Sequence, residues 1–241
     1  MNQADLRRRG RFQRVTGGPK LTMSLMALSV LVPAAGLADS SRAGDDSAVF
    51  YIQPLGQDLP DADVALVAQA LETFYDVKVK RLPRVDLPPF AYYPPRRRYR
   101  AEKLLSYLQL RLPRNGRRIL GLTGVDISTT KGKYRDWGIL GLATIDGSAC
   151  VISAFRARKG AKNRQHARVR LAKTAVHEIG HTLGLEHCPT RGCLMEDARG
   201  KVATTDREYD ICPRCRARLK ARGRALPDHP TIPWPNPKTT R

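Results

Sequence analysis

The chain is poor in acidic residues, aromatic rings and histidine. Its 22 aspartates and glutamates stand against 43 lysines and arginines, a net charge of +21. Such an imbalance raises nucleic acid or another anionic surface as a partner. Aromatic residues make up only 6% of the chain, and no recognition helix or aromatic-basic RNA-binding motif accompanies the arginines. The charge therefore reads as a biased, solvated surface rather than a binding groove. Internal repeats are lacking, and 241 residues suit one domain of about 150–200 residues with tails. Long uncharged stretches are scarce too. The one at Leu21 to Ala38 follows Arg7, Arg8, Arg9, Arg11, Arg14 and Lys20 and ends in Ala34-Ala35-Gly36-Leu37-Ala38. A basic start, an apolar centre and a small-residue end describe an export signal cut after Ala38. Residues 1–38 are thus expected to be a signal peptide, and the mature protein periplasmic or secreted. The alternative is an uncleaved segment that tethers the chain to a membrane through residues 21–38. Pro33 and Gly36 interrupt the run and argue against its burial as a cytosolic helix.

Of the five histidines, three fall in His177-Glu178-Ile179-Gly180-His181-Thr182-Leu183-Gly184-Leu185-Glu186-His187. Two histidines four residues apart share one helix face, a spacing that lets both imidazoles reach a single tetrahedral zinc. Glu178 projects beside the metal without ligating it, placed to act on a water. Gly184 lets the helix end and the chain reverse, and His187 returns as third ligand, leaving a fourth position open. A bare H-E-x-x-H is a weak signal. The extended pattern fixes five residues over eleven positions, which a helix with exposed histidines would rarely match.

Five cysteines prompt a disulfide count. Four of them, Cys188, Cys193, Cys212 and Cys215, instead form a pair followed by a C-x-x-C, the ligand set of an all-thiolate structural zinc. Cys150, alone in an apolar strand, is expected to be a buried thiol.

The histidine motif running into C-x4-C-x-M and then C-x-x-C resembles the archaemetzincins. The spacer from Met195 to Cys212 is sixteen residues, one short of that family's pattern, a surface-loop deletion that leaves the last thiolates within reach. The resemblance implies catalytic zinc ligands His177, His181 and His187, the base Glu178, and a Met-turn at Met195 beneath the metal. It likewise implies structural zinc ligands Cys188, Cys193, Cys212 and Cys215. Two zinc ions are therefore expected, one catalytic and one structural. Glu196, Asp206 and Tyr209 lie nearby in sequence, with surface roles as their default.

Val49–Ile52 reads as a buried strand closing at Pro54 and Gly56, and Asp61–Tyr75 as an amphipathic helix through Val64, Val67, Leu71 and Phe74. Val77–Lys80 alternates as a half-exposed strand. A proline-rich loop 83–95 leads to a helix over Arg100–Leu112 with Leu104, Leu105 and Leu108 inside. Arg118–Ile127 reads as the third strand. Gly138–Thr144 and Cys150–Phe155 flank Asp146-Gly147 as a hairpin. Arg164–Leu183 is the histidine helix, its apolar stripe of Val169, Ala172, Val176, Ile179 and Leu183 lying beside the ligand face. This order predicts an α/β fold. The resemblance, which spans residues 48–219, implies a metzincin-like mixed twisted sheet with packed helices. The active-site helix would be followed by a loop region bound to the four-cysteine zinc. Residues 39–47 read as a linker, 48–219 as the catalytic domain, and 220–241 as a basic, proline-rich disordered tail.

The function these residues predict is zinc-dependent peptide-bond hydrolysis by a zinc-activated water with a glutamate base, on peptide or protein substrates, by a monomer. The alternative is a catalytically inactive zinc-binding module docking anionic partners or nucleic acid. The intact Glu178 argues against it, because an inactive relative has no need of the base. A nucleic-acid-binding zinc ribbon would leave the three histidines unexplained.

Overall fold

A period of two in strands covered on both sides divides the interior into two apolar layers. The computed structural model describes residues 49–224 together with 226–227, 231–232 and 234–235. The expected export signal 1–38 and linker 39–47 lie outside the described residues. The elements in chain order are β1 (Val49–Leu55), α1 (Asp61–Tyr75), β2 (Lys78–Arg81), β3 (Tyr92–Tyr93), β4 (Arg98–Arg100), α2 (Ala101–Arg111) and β5 (Arg118–Thr123). There follow β6 (Ile127–Lys131), β7 (Tyr134–Ile139), β8 (Gly141–Ala143), β9 (Ala149–Ser153), α3 (Ala154–Arg158), α4 (Arg164–Thr182), α5 (Thr204–Arg207) and α6 (Pro213–Ala221).

The main sheet has the order β2-β1-β5-β9-β8, parallel throughout except for β8, which runs antiparallel to β9. A smaller mixed sheet has the order β3-β4-β6-β7. The fold is thus mixed α/β with packed helices, as expected. Phe50, Ile52, Leu120, Leu122, Cys150 and Ile152 face α1 and α4, whereas Tyr51, Leu55, Ile119 and Val151 face α2. Helix α1 begins after Pro60 without a side-chain cap, a loss of about 1 kcal/mol. Full burial of Val64, Val67, Leu71 and Phe74, at roughly 1.5–3 kcal/mol each, outweighs that loss several-fold.

Three expectations are corrected. Strand β1 continues through Pro54 to Leu55, where the Pro54 carbonyl accepts from the Val85 backbone N–H at 3.2 Å. The missing proline N–H does not end the strand. The segment 118–127 is not one strand: β5 ends at Thr123, and the chain turns through Gly124 before entering the smaller sheet as β6. A Cβ on Gly124 would lie 2.2 Å from the Asp58 carbonyl oxygen, so only glycine passes there. Gly138–Thr144 is likewise divided. Strand β7 closes in the smaller sheet at Ile139, Leu140 crosses over, and β8 pairs with β9 in the main sheet. The Leu140 carbonyl accepts from the Ser153 N–H at 2.8 Å at this crossing. The turn at Asp146, in the left-handed region at φ 54°, does join β8 to β9. Phe155 belongs to α3 and is exposed.

Within the segment expected to be a disordered tail, Trp234 is buried, stacked on Phe74 at 6.3 Å, and donates from Nε1 to the Tyr209 carbonyl at 2.9 Å.

Candidate active site

Helix α4 starts at Asn163, whose side chain accepts from the His166 backbone N–H at 2.8 Å, as an N-cap should. Val176 and Ile179 sink into the core, and the Tyr75 hydroxyl on α1 donates to the Val176 carbonyl at 2.6 Å. The opposite face is not solvated as a two-faced helix predicts. Arg170, Lys173 and Thr174 are buried beneath α5 and the strand-like segment after it. Arg170 makes a two-pronged pair with Asp206, Nε to Oδ1 at 2.7 Å. Lys173 Nζ donates to the carbonyls of Thr205 at 2.9 Å and Glu208 at 2.6 Å. The helix is therefore clamped from both sides, which suits a ligand platform.

The Nε2 atoms of His177 and His181 lie 3.0 Å apart. Each Nδ1–H donates to a backbone carbonyl, His177 to Leu194 at 2.6 Å and His181 to Leu185 at 2.7 Å. Those bonds fix the tautomer and leave Nε2 lone pairs facing inward. After Gly184, at φ 91°, the chain reverses and brings the exposed His187 ring to 5.4 Å from His177 and 4.8 Å from His181. One ligand atom from each of the three lies within 4.8 Å of the others. Nitrogens about 2.0 Å from a tetrahedral zinc sit about 3.3 Å apart, so the trio fits one ion. Burial lowers His177 to about 3 and His181 to about 4, keeping both rings neutral, the form that binds metal.

Glu178 is buried next to this trio, and burial pushes its carboxyl up to about 8. It packs on the backbone of Gly141, where a Cβ would lie 2.6 Å from Oε1. Sequence reasoning missed Gly141, because its only local meaning is the start of a strand. Met195 is fully buried under α4, its sulfur 2.6 Å from where a Cβ on Gly180 would stand.

The four cysteines also converge, one sulfur from each within 4.8 Å of the others. Cys188 and Cys212 sulfurs are 3.6 Å apart, Cys193 and Cys215 3.9 Å. Those separations are far longer than a disulfide and match the roughly 3.8 Å edge of a zinc–thiolate tetrahedron. Hydrogen bonding with Cys215 holds the Cys193 thiol low, to about 5. Cys150 is buried away from them, and burial raises its thiol.

Of the neighbours given surface roles by default, none is a free surface group. Glu196 accepts from the Gly192 N–H at 2.8 Å and pairs with Arg207. Asp206 also meets His166 Nε2 at 2.7 Å. Tyr209 donates its backbone N–H to the Gly192 carbonyl at 3.1 Å. Glu208 escaped sequence reasoning altogether. It is buried, and burial pushes its carboxyl up to about 8. Beside the histidines lies a cleft of about 250 Å³, walled by Trp137, Leu140, Gly141, Thr174, Thr205 and Glu208.

The family model for peptidase family M54 matches residues 54–221. An archaemetzincin of Halobacterium salinarum is 31% identical over 171 residues, which are 68% of this chain and 95% of that protein. The crystal structure of archaemetzincin from Methanopyrus kandleri superposes with a TM-score of 0.64 at 28% identity, covering 74% of this chain and 96% of that one. The archaemetzincin of Archaeoglobus fulgidus, solved in complex with malonate, gives 0.60 at 32% identity, with 71% of this chain and 99% of that one covered.

Proposed function

The chain belongs to peptidase family M54, the archaemetzincins, and from that premise we propose that it hydrolyses peptide bonds with Glu178 as general base and His177, His181 and His187 as zinc ligands. The carrying observation is the convergence of three ligand nitrogens within 4.8 Å, with the buried Glu178 beside them. Zinc held there supplies a Lewis acid that polarises the scissile carbonyl and makes water a nucleophile near neutral pH. The protein's own groups do the rest. The Leu194 and Leu185 carbonyls hold the two helix imidazoles in one orientation. Glu178 takes a proton from the attacking water and passes it to the leaving amine. Its burial favours the protonated form, which makes it an effective acceptor at the moment of attack. Gly141 leaves the space in which that carboxylate turns.

Cys188, Cys193, Cys212 and Cys215 hold a second, structural zinc in this reading, and the substrate is a peptide or protein. The basic, apolar, small-residue order of residues 1–38 supports export of the mature chain. The inactive-module alternative finds no support in a site where Glu178 is present and lines the same cleft as His177 and His187.

The test is incubation of zinc-loaded protein with a diverse peptide library, read by mass spectrometry. New termini that vanish on chelation and return with zinc are expected. A fully metal-loaded protein that yields no cleavage products contradicts the proposal.

A further inference from the structure

A second hollow, of about 700 Å³, lies at the carboxyl ends of the parallel strands β1, β5 and β9. The chain leaving β1 turns to α1 and β2 on one side, and the chain leaving β5 turns the other way, toward β9. Loops that diverge in this manner past neighbouring parallel strands open a crevice, the usual ligand position in such sheets. Asp58 follows β1, Gly124 to Asp126 follow β5, and all of these line the hollow. Six cations share the lining: Arg96, Arg97, Arg98, Arg156, Arg158 and Lys159.

Two of these cations are fixed and four are not. Arg98 and Arg156 each donate to Asp126 at 2.7 Å, and Arg98 also meets Asp136 at 2.8 Å. Arg96 stands 3.9 Å from Asp136, and Arg158 stands 3.6 Å from Asp63, which Arg168 already holds at 2.8 Å. Pairs this long between exposed arginines and a shared carboxylate contribute little. The side chains of Arg97 and Lys159 are exposed and make no hydrogen bond or ion pair among the described residues. Set against Asp58, Asp126, Asp136 and Asp63 together, the six cations keep a surplus of two charges. The hollow also adjoins the catalytic cleft. Arg156 borders both, and its guanidinium occupies the space that a Cβ on Gly138, a cleft residue, would need. One side chain thus separates the two spaces. Phe155, 49% exposed in the same lining, adds a ring for apolar contact. Resting on the peptidase reading above, we propose that this crevice is an exosite for an acidic segment of the peptide substrate, on one side of the scissile bond. Aspartate or glutamate side chains of that segment meet Arg97, Lys159, Arg96 and Arg158, while the interlocked Arg98, Asp126 and Arg156 stay in place.

Binding tests this without turnover. Zinc-loaded Glu178→Ala protein is titrated with fluorescein-labelled peptide pools, each a randomised hexapeptide joined at one end or the other to a hexaglutamate or hexaglutamine block. Fluorescence anisotropy at low salt should show the glutamate block bound about tenfold more tightly than glutamine, in one of the two orders only. Adding Arg97→Gln and Lys159→Gln, which breaks no internal pair, should abolish that difference. Adding Lys78→Gln and Lys80→Gln instead removes the same charge from exposed positions on β2, at the opposite edge of the main sheet from β8, and should preserve it. Equal binding of glutamate and glutamine pools, or a preference indifferent to block order, overturns the exosite. So does a preference that survives the change at Arg97 and Lys159, or one lost equally in the β2 variant. Failure of every pool to bind overturns it too, whereas the peptidase reading stands or falls on the library cleavage alone. Labelled oligothymidylate that binds more tightly than any peptide pool, and loses that affinity with the Arg97 and Lys159 changes, would assign the crevice to nucleic acid and overturn the substrate role.

Discussion

At the scale of single residues, the site depends on a clearance. Gly141 leaves no room for a methyl group beside the Glu178 carboxylate, and overpacking of this kind displaces side chains. Gly141→Ala should lower kcat by at least about tenfold, with little change in peptide affinity or zinc content. Unaltered kcat would mean that Glu178 tolerates displacement. Glu208 offers a second residue-scale expectation. Burial raises its carboxyl from 4.5 to about 8, so the folded state holds the proton more tightly than the unfolded chain. That contribution is fully present below about pH 4.5 and is lost as pH rises through about 8. Glu208→Gln removes the dependence, so its melting temperature relative to the parent should rise between pH 5 and pH 8. The scale is on the order of 2–4 °C for each kcal/mol. A flat difference would place Glu208 in a more polar setting than its burial indicates. The convergence of the three histidines and of the four cysteines was legible in the sequence, because ligand chemistry needs particular residue types at particular spacings. Gly141 and Glu208 were not, because each acquires its role only when distant segments fold onto α4.

At the scale of elements, the loop after α4 ties the two ligand sets together. The Cys188 N–H donates to the Met195 carbonyl at 2.7 Å, and the Leu194 N–H to the Asp210 carbonyl at 3.0 Å. Leu194 in turn accepts from His177. A change at the thiolates is therefore two backbone bonds away from a catalytic imidazole. Metal binding contributes on the order of 10 kcal/mol to ordering such a site, far more than the few apolar side chains of the loop. Cys215→Ser, which touches no catalytic group, should weaken zinc at the histidines, cut activity severely and make residues 185–195 protease-sensitive. Loss of one zinc with full activity and an intact loop would show the sites to be independent. Helices α1, α2 and α4 were readable from their three-and-four spacing, because each buries a continuous stripe. The strands 118–127 and 138–144 were misread as single elements. Their sheet switches at Gly124 and Leu140 depend on what packs across them, which periodicity does not carry.

At the scale of the whole molecule, many arginines are engaged in internal ion pairs, which are neutral and leave the net charge of +21 unchanged. Asp126 collects Arg98 and Arg156, Asp206 collects Arg170 and His166, and Asp63 pairs with Arg168. Composition gave the excess but not which arginines are paired inside the fold. The order of residues 1–38 carries one further expectation. Protein purified from its own cells should begin near Asp39 and lie outside the cytoplasm, whereas an intact Met1 in a soluble cytosolic fraction would contradict export. The proposed chemistry as a whole turns on Glu178, a carboxylate assigned to move protons and to hold no metal. Zinc content and single-turnover cleavage of an established peptide should therefore be measured side by side for the parent and Glu178→Ala. Two zinc ions in both proteins, with cleavage slowed by at least about 10²–10⁴ in the variant, is the expected result. Cleavage at the parent rate by a variant that keeps both metals would show that Glu178 is not the base.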